Sequence, residues 1–308
     1  MDDRPWLPRA RYGRHVRTMI ILAALLLAGC GSTTPEPAPS PAATTPGTFD
    51  VPDGGQRTGE VPTSAMKGQS FSLQAATGDD GGVDFAAYDE SMDFALGAIN
   101  EYWFQTMADD FGLEWIPPND FIAYYPPEET GPTCGGETVG AENAVYCAQP
   151  DSDYVAWDEP GLMLPYYLEL GDMATAVILA HEFGHGAQAR LGLSEQFPLT
   201  IESELQADCF AGAWAQWADD QGLLGKDAAN QAAEAVISVG DPEGVPWNAP
   251  DAHGTPDERL EAFSIGVDTG AVGCYDTFPP AFPGKAEDTA DYGSAYSKRA
   301  KRSPSVNT

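Results

Sequence analysis

Cationic residues, histidine and long apolar runs are all scarce in this chain. Its 308 residues contain 15 Lys and Arg and 4 His against 47 Asp and Glu, a formal net charge of −32. So acidic a chain is repelled by nucleic acid and by anionic lipid headgroups, and we expect no nucleic-acid partner. The charge keeps the protein soluble or favours cationic substrates. The apolar run at residues 19–27 is far shorter than the roughly 20 residues that a membrane-spanning helix needs.

The short apolar run has the features of a secretion signal, because a segment rich in arginine precedes it. It ends in Leu27-Ala28-Gly29-Cys30. This sequence resembles the bacterial lipoprotein box, whose cysteine is acylated and becomes the mature N-terminus. The alternative is an ordinary signal peptide in which Cys30 occurs by chance. We expect an extracytoplasmic protein that is anchored to the cell membrane by lipid on Cys30.

Composition divides the chain into four segments. Residues 1–29 are the predicted lipoprotein signal peptide. Residues 30–69 are rich in Pro, Thr, Ser, Ala and Gly, and they predict a disordered tether, because they cannot bury enough apolar surface to fold. Residues 70–283 form the predicted globular body, and residues 284–308 a disordered tail.

Cysteine pairs at C-x-x-C spacing are lacking, which argues against a zinc–thiolate cluster. With Cys30 acylated, four of the 5 Cys remain, and an even number in an exported protein indicates two disulfides. Four cysteines allow three pairings. We favour Cys134–Cys147, which closes a short Gly-rich loop, and Cys209–Cys274, which ties the end of the domain to a central helix.

The globular body begins with a helical pattern, which Asp84 can cap and which runs to Phe111. Short apolar and aromatic runs bounded by Pro and Gly then predict strands at 121–125, 144–148 and 154–157. Asp172 can cap a helix that runs to about Leu191, and Thr200 can cap another that runs to about Asp219. A third helix is predicted from Asp227 to Ser238, and a fourth opens at a capping box at Thr255. This order predicts an α+β fold, dominated by helices, with a small β-sheet.

The run from His181 to His185, with the sequence His-Glu-Phe-Gly-His, is the strongest functional motif. Its two histidines lie four residues apart in a predicted helix, so both imidazoles can reach one cation. Glu182 lies one step round the helix and can reach water bound to that cation, as in the H-E-x-x-H arrangement. The preceding turns are apolar, so we expect a largely buried helix. Gly184 and Gly186 would allow a close backbone approach.

A catalytic zinc needs a third protein ligand and an open position for water. Leu191 stands where a third His would follow in the metzincin pattern. Glu204, in the next predicted helix, is the better candidate, because an antiparallel helix could carry it beneath both imidazoles. Asp208, one turn later, can accept a ring N–H from His181 or His185 and so fix the tautomer. The alternative is that Glu204 and Asp208 form an exposed acidic helix face.

The order of these motifs resembles that of the bacterial putative neutral zinc metallopeptidase family. The resemblance covers about residues 134–278. It rests on the His-Glu-x-x-His run, on Glu204–Gly212, on His253-Gly254-Thr255 with Arg259, and on Cys274–Phe278.

This resemblance implies a zincin-like metallopeptidase domain over residues 70–283. The family is similar to gluzincins, in which a glutamate completes the zinc site, so the implied zinc ligands are His181, His185 and Glu204. The family often has His and Val directly after the second histidine, where this chain has Gly and Ala. Neither position is a ligand in the gluzincin scheme.

His253 opens the turn that precedes the capping box. It could donate to the oxyanion of a tetrahedral intermediate, which makes it a candidate catalytic residue, or it could serve as an alternative zinc ligand. Its other interpretation is a structural histidine bonded to a loop carbonyl. Arg259 is expected to pair with a nearby acidic residue in a buried structural role.

Together these features predict a zinc-dependent endopeptidase that acts on peptide or protein substrates outside the cytoplasmic membrane. Zn²⁺ would activate water, while Glu182 takes its proton as general base and passes it to the leaving amine. An extended substrate is expected to pair with a strand near the cleft, at Tyr154–Trp157. The main alternative is a lipid-anchored envelope binding or assembly protein that keeps the zincin fold without turnover. A third possibility is hydrolysis of a non-peptide amide.

Overall fold

The computed structural model describes residues 57–58, 83–149, 152–194, 196–226 and 228–278. Six helices are described: α1 Phe85–Phe111, α2 Leu164–Leu170, α3 Asp172–Arg190, α4 Thr200–Asp220, α5 Ala228–Ser238 and α6 Pro256–Thr277. The strands are β1 Arg57–Thr58, β2 Asp120–Tyr124, β3 Thr133–Cys134, β4 Glu137–Thr138, β5 Ala144–Gln149 and β6 Ser152–Asp158. Helices dominate, and the predicted α+β class is confirmed.

Several predictions fall outside the described residues. They are the signal peptide at 1–29, lipidation of Cys30, the tail at 284–308 and the helix start at Asp227. The two residues of β1 are the described part of the predicted tether, and they pair antiparallel with β2. No helix in the described ranges combines the length and apolarity needed to cross a bilayer.

Two predicted helix caps are confirmed. The Asp84 side chain accepts a hydrogen bond from the backbone N–H of Ala87 at the start of α1. At the start of α6, the Thr255 hydroxyl accepts from the N–H of Glu258, and the Glu258 carboxylate accepts from the N–H of Thr255. Each bond satisfies an N–H group that the first helical turn leaves unpaired.

Two other predicted caps, at Asp172 and Thr200, are wrong. Asp172 is already the first residue of α3, and Gly171, with φ of 90°, stands at the cap position without a side-chain bond. Thr200 is likewise the first residue of α4, and its hydroxyl donates to the carbonyl of Pro250 instead. The sequence analysis also missed α2, which continues a π-helical turn at Glu159–Met163.

The main sheet has four strands in the order β1-β2-β6-β5. β6 runs parallel to β2 on one side and antiparallel to β5 on the other. One face packs on the helical core through residues such as Phe121, Val155 and Trp157. The other face forms a small cluster with the β3–β4 hairpin, which the Cys134–Cys147 disulfide ties to β5. This disulfide confirms the first favoured pairing.

Helix α3 lies at the centre of the domain and is buried along most of its length. It contacts α1, α4, α5 and β5, and Phe183 on α3 stacks on Phe121 of the sheet with ring centroids 5.8 Å apart. A helix that is apolar on all sides is stable only when neighbours cover all of it. The predicted buried helix is therefore confirmed, and it holds the His-Glu-x-x-His run rigidly.

Helices α4 and α6 make an unusually close contact, which the second favoured disulfide, Cys209–Cys274, crosslinks. A Cβ atom at Gly266 on α6 would lie 1.7 Å from the carbonyl oxygen of Cys209. A Cβ atom at Gly212 on α4 would lie 1.9 Å from the carbonyl oxygen of Phe263. Both glycines therefore allow the backbones to touch.

Gly266→Ala should destabilise the fold by about 3 kcal/mol, because a backbone carbonyl cannot move aside as a side chain can. Urea unfolding followed by tryptophan fluorescence measures the change. Gly140→Ala is the matched control, since a Cβ atom there meets nothing within 4 Å, and its effect should stay within about 0.5 kcal/mol. Equal stabilities of the two variants would contradict the close packing of α4 on α6.

Candidate metal centre

Two adjacent helices bring three potential metal ligands together. His181 and His185 project from the same face of α3, and Glu204 projects towards them from α4. The Nε2 atoms of the two imidazoles are 3.2 Å apart. Oε2 of Glu204 lies 3.2 Å from Nε2 of His181, and Oε1 of Glu204 lies 3.3 Å from Nε2 of His185. All three predicted ligands therefore converge on one point.

The spacing of these three groups is close to that of a tetrahedral zinc site. With metal–ligand bonds of about 2.0–2.1 Å, ligand atoms of a tetrahedral zinc lie about 3.3–3.4 Å apart. The observed separations of 3.2 to 3.3 Å match that spacing. Two imidazole nitrogens and a carboxylate oxygen are also a donor set typical of catalytic zinc. The residues present therefore fit a zinc ion, with a fourth position left for water.

Asp208 orients the first imidazole. Its carboxylate oxygen lies 2.8 Å from Nδ1 of His181. A proton on Nδ1 donates to this carboxylate, so the lone pair of Nε2 faces the other two ligands. Arg259 of α6 holds the carboxylate in turn, through bonds of 2.8 Å from Nε and 2.7 Å from a terminal nitrogen. Arg259, Asp208 and His181 thus form one buried chain of hydrogen bonds. Asp208 in this chain is also the acidic partner that was expected for Arg259.

Gln188 orients the second imidazole, and the sequence analysis missed it. Its amide nitrogen donates to the carbonyl of Ser203 at 2.8 Å, which fixes the amide orientation because a carbonyl can only accept. Its oxygen therefore faces Nδ1 of His185, at 2.9 Å, and accepts the ring N–H. Again Nε2 is left free for a metal. A polar residue three positions after a ligand histidine was the sequence signal for this contact.

Buried negative charge surrounds both imidazoles. Burial would lower the pKa of His181, but the carboxylates of Asp208 and Glu204 raise it to about 10. Burial would also lower the pKa of His185, but the carboxylate of Glu204 outweighs this effect, so the pKa of His185 is raised. The pKa of Glu204 is held well below its ordinary value, against burial, by the two imidazoles. The site favours positive charge. A divalent cation would take the place of protons at the Nε2 atoms, while the Nδ1 protons stay bonded to Asp208 and Gln188.

A cavity of about 720 Å³ opens over the three ligands. Glu182, which is 6% exposed, lines it beside the two histidines. His253 lines it as well, but its side chain is about half exposed, and its Nδ1 lies 3.6 Å from a carboxylate oxygen of Asp241. The group of three ligands does not include His253. Its catalytic role stays a prediction.

Gly184 makes the approach of α4 to α3 possible, as the sequence predicted. A Cβ atom at Gly184 would lie 3.0 Å from the Cα and from the carbonyl oxygen of Ala207. Gly186 has a different environment, because the nearest atoms to its virtual Cβ belong to the side chains of Tyr146, Arg190 and Trp115, at 3.6 to 3.7 Å. Of the two glycines, only Gly184 serves a close backbone approach.

Strand β5 contributes Ala144, Val145, Tyr146 and Ala148 to the lining of the cavity. The predicted substrate strand, Tyr154–Trp157, lies in β6, and this expectation is wrong because both edges of β6 are already paired. Among the described strands, β5 is at the edge of the sheet, and its residues line the cavity. Arg190, at the end of α3, fastens β5 to the metal helix by donating to the hydroxyl of Tyr146, while it also pairs with Asp153 at 2.8 Å.

The helix-dominated α+β fold and the His–His–Glu site on two antiparallel helices define a zincin-like protein. More narrowly, the chain belongs to the family described as Putative neutral zinc metallopeptidase, which matches residues 55–278. This match includes β1 and every helix of the described domain.

The chain is also similar to curated proteins that are described as uncharacterised. The chain is 27% identical to YpfJ, an uncharacterised protein of Escherichia coli K12, over 245 residues that span 70% of this chain and 80% of YpfJ. It is 30% identical to an uncharacterised protein of Mycobacterium bovis over 142 residues, 36% of this chain and 46% of that protein. A Mycobacterium tuberculosis protein matches over the same length at the same identity. No solved structure matches the chain.

Proposed function

We propose that the protein is a zinc-dependent endopeptidase that acts outside the cytoplasmic membrane. The observation that carries this proposal is the convergence of His181, His185 and Glu204 within 3.2 to 3.3 Å, with Glu182 in the wall of the same cavity. The family supports a zinc peptidase, and the site contains the residue types that such chemistry needs.

Each residue has a distinct task in amide hydrolysis. His181, His185 and Glu204 would hold a zinc ion, which would lower the pKa of a bound water towards about 7 and polarise the scissile carbonyl. Glu182 accepts the proton of that water and delivers it to the leaving amine. Asp208 and Gln188 keep Nδ1 of each imidazole as the donor, so that both Nε2 atoms stay directed at the metal position. Arg259 keeps Asp208 ionised and in place.

The edge strand β5 provides the means to hold an extended polypeptide. Unpaired N–H and C=O groups on a strand edge bind a peptide as an added strand. Ala144, Tyr146 and Ala148 of β5 line the cavity that contains the metal site. A substrate paired with β5 would therefore pass directly over the ligands. A strand edge can pair with backbone anywhere along a chain, so this arrangement supports cleavage within a chain.

Two features of the chain support a position outside the cytoplasm. Both disulfides are of the kind that form and persist in oxidising compartments. The basic segment and short apolar run before Cys30 are typical of a lipoprotein signal. We extend the proposal to membrane attachment by lipid on Cys30, which intact-mass analysis of the membrane fraction tests against a Cys30→Ser variant.

Removal of the metal tests the enzymatic proposal. Chelator-treated protein should lose cleavage of a complex peptide mixture, followed by mass spectrometry, and one equivalent of Zn²⁺ should restore it. Magnesium at the same concentration is the control, because its preference for oxygen ligands in octahedral geometry does not suit this site. A zinc-loaded protein that cleaves no peptide would contradict the endopeptidase and favour the envelope binding or assembly protein.

A further inference from the structure

The loop that precedes β5 places an acidic side chain in the wall of the cavity. Glu142 lies two residues before the start of β5, and it lines the cavity together with Asn143 and Ala144. The residue is exposed. Among the described residues, none forms a hydrogen bond or an ion pair with its carboxylate. This carboxylate is therefore available to a ligand in the cavity.

Buried groups fix the backbone of this loop. The carboxylate of Asp158, which is 2% exposed, accepts the N–H of Glu142 and the N–H of Gly161, each at 2.7 Å. The buried hydroxyl of Tyr124 donates to the carbonyl of Gly140 at 2.7 Å. Because both anchors are buried, the backbone of Glu142 is held in one position at the cavity wall.

Glu142 has a backbone conformation that is uncommon for its residue type. Its φ is 55°, and within the described ranges it is the one residue other than glycine with a positive φ. Glycine and asparagine adopt this left-handed region at lower cost, so the backbone alone does not favour a glutamate here. Conformations of this kind concentrate at functional sites. The outlier therefore points to a task for the side chain of Glu142.

A substrate paired with β5 would pass Glu142 a few residues from the metal. Tyr146 of β5 lines the cavity, and its ring lies 3.6 Å from a virtual Cβ atom at Gly186, the residue after the ligand His185. Glu142 precedes Tyr146 by four residues, which is at most about 13 Å of extended chain. A peptide bond over the metal therefore has Glu142 within about four substrate residues of it.

The charges of the cavity leave Glu142 without compensation. Arg259, the arginine that lines the cavity, already binds Asp208 through two hydrogen bonds. A bound zinc would offset the charge of Glu204, but Glu142 is outside the three-ligand group. A lysine or arginine side chain beside Glu142 would gain an ion pair and keep most of its hydration, because the residue is exposed. An acidic side chain there would be repelled.

We infer that Glu142 is a specificity-determining residue, which selects substrates that carry Lys or Arg within about four residues of the scissile bond. This inference rests on the proposed endopeptidase function and names the substrate class of the same site. The preference comes from the fixed carboxylate of Glu142 and not from the acidity of the chain as a whole. It should therefore apply to one substrate position and depend on this one side chain.

Matched peptides test the inference. Cleavage sites are first mapped in a peptide mixture, and one cleaved sequence is then made with Lys, Gln or Glu at each of the four positions on either side of the bond. At one position, kcat/KM for the Lys peptide should exceed that for the Gln peptide about 5-fold and that for the Glu peptide about 25-fold. Salt at about 0.5 M should reduce both ratios, because it screens exposed charges. Equal cleavage at every position would overturn the inference and leave the endopeptidase standing. Cleavage of none by zinc-loaded protein would overturn both.

Two variants locate the preference at Glu142. Glu142→Gln keeps the shape of the side chain without its charge and should bring the ratio of the Lys to the Gln peptide to about 1. Glu142→Lys should reverse the order, so that the Glu peptide is cleaved fastest. The matched control is Glu137→Gln, since Glu137 is an exposed residue of β4 outside the cavity lining, and it should keep the 5-fold ratio of about the unsubstituted protein. Thermal unfolding and zinc content report folding, and an unchanged ratio in folded Glu142→Lys protein would refute the assignment.

Discussion

Replacing Glu182 with glutamine is expected to lower the turnover number by about 100- to 10,000-fold and to leave the zinc content unchanged. Glutamine keeps the shape of the side chain but cannot accept a proton at neutral pH. The side chain is buried in the cavity wall and is outside the three-ligand group, so the substitution removes the general base without removing a ligand. Turnover on a peptide that the unsubstituted protein cleaves and metal analysis of the purified protein measure the two effects.

The control for this variant is Glu234→Gln, because Glu234 is an exposed residue of α5 that does not line the cavity. It should retain full turnover. If Glu182→Gln loses zinc together with activity, Glu182 belongs to the metal site instead. Full activity in the zinc-loaded variant would eliminate Glu182 as the base.

The rigid setting of α3 explains why these residues can work together. On one side the backbone of α4 touches Gly184, which sets the distance from the two histidines to Glu204. On another side Arg259 joins α6 to the site through Asp208. At the end of α3, Arg190 joins the helix to β5. The metal position and the edge strand are therefore fixed relative to the same helix, as a reaction between bound water and a bound peptide requires.

Local patterns predicted the helices well, because apolar spacing and caps act within a few residues of each other. The capping box at Thr255 and the cap at Asp84 are such local signals. The predicted cap at Thr200 failed for a tertiary reason, since its hydroxyl binds a carbonyl distant in sequence. The predicted cap at Asp172 failed because α3 already includes that residue. Residue type alone does not reveal which partner a hydroxyl finds.

The ligand set was also predictable, since helical spacing and the family resemblance pointed to the same three residues. Strand order was not, because it depends on pairings between distant segments. The pattern at Tyr154–Trp157 indicates a strand, but only the register with β2 and β5 shows that both of its edges are occupied. Gln188 was missed because its role depends on the carbonyl of Ser203, a backbone group that no side-chain pattern reveals.

Replacing Glu204 with alanine is expected to weaken zinc binding by more than about 100-fold, since even outer partners of a ligand contribute about 10- to 100-fold. The carboxylate lies within 3.3 Å of both Nε2 atoms and supplies the negative charge of the ligand set. Its removal leaves two imidazoles, which hold a cation much less tightly. Competition with a chromophoric zinc chelator measures the affinity.

Glu202→Ala is the matched control, because Glu202 lies on the same helix but outside the three-ligand group. It should retain zinc affinity. Circular dichroism checks that the two metal-free proteins keep their helix content. If the Glu204 variant binds zinc as tightly as the Glu202 variant, the third ligand is another group. In that case His253, which lines the same cavity, becomes the next residue to replace.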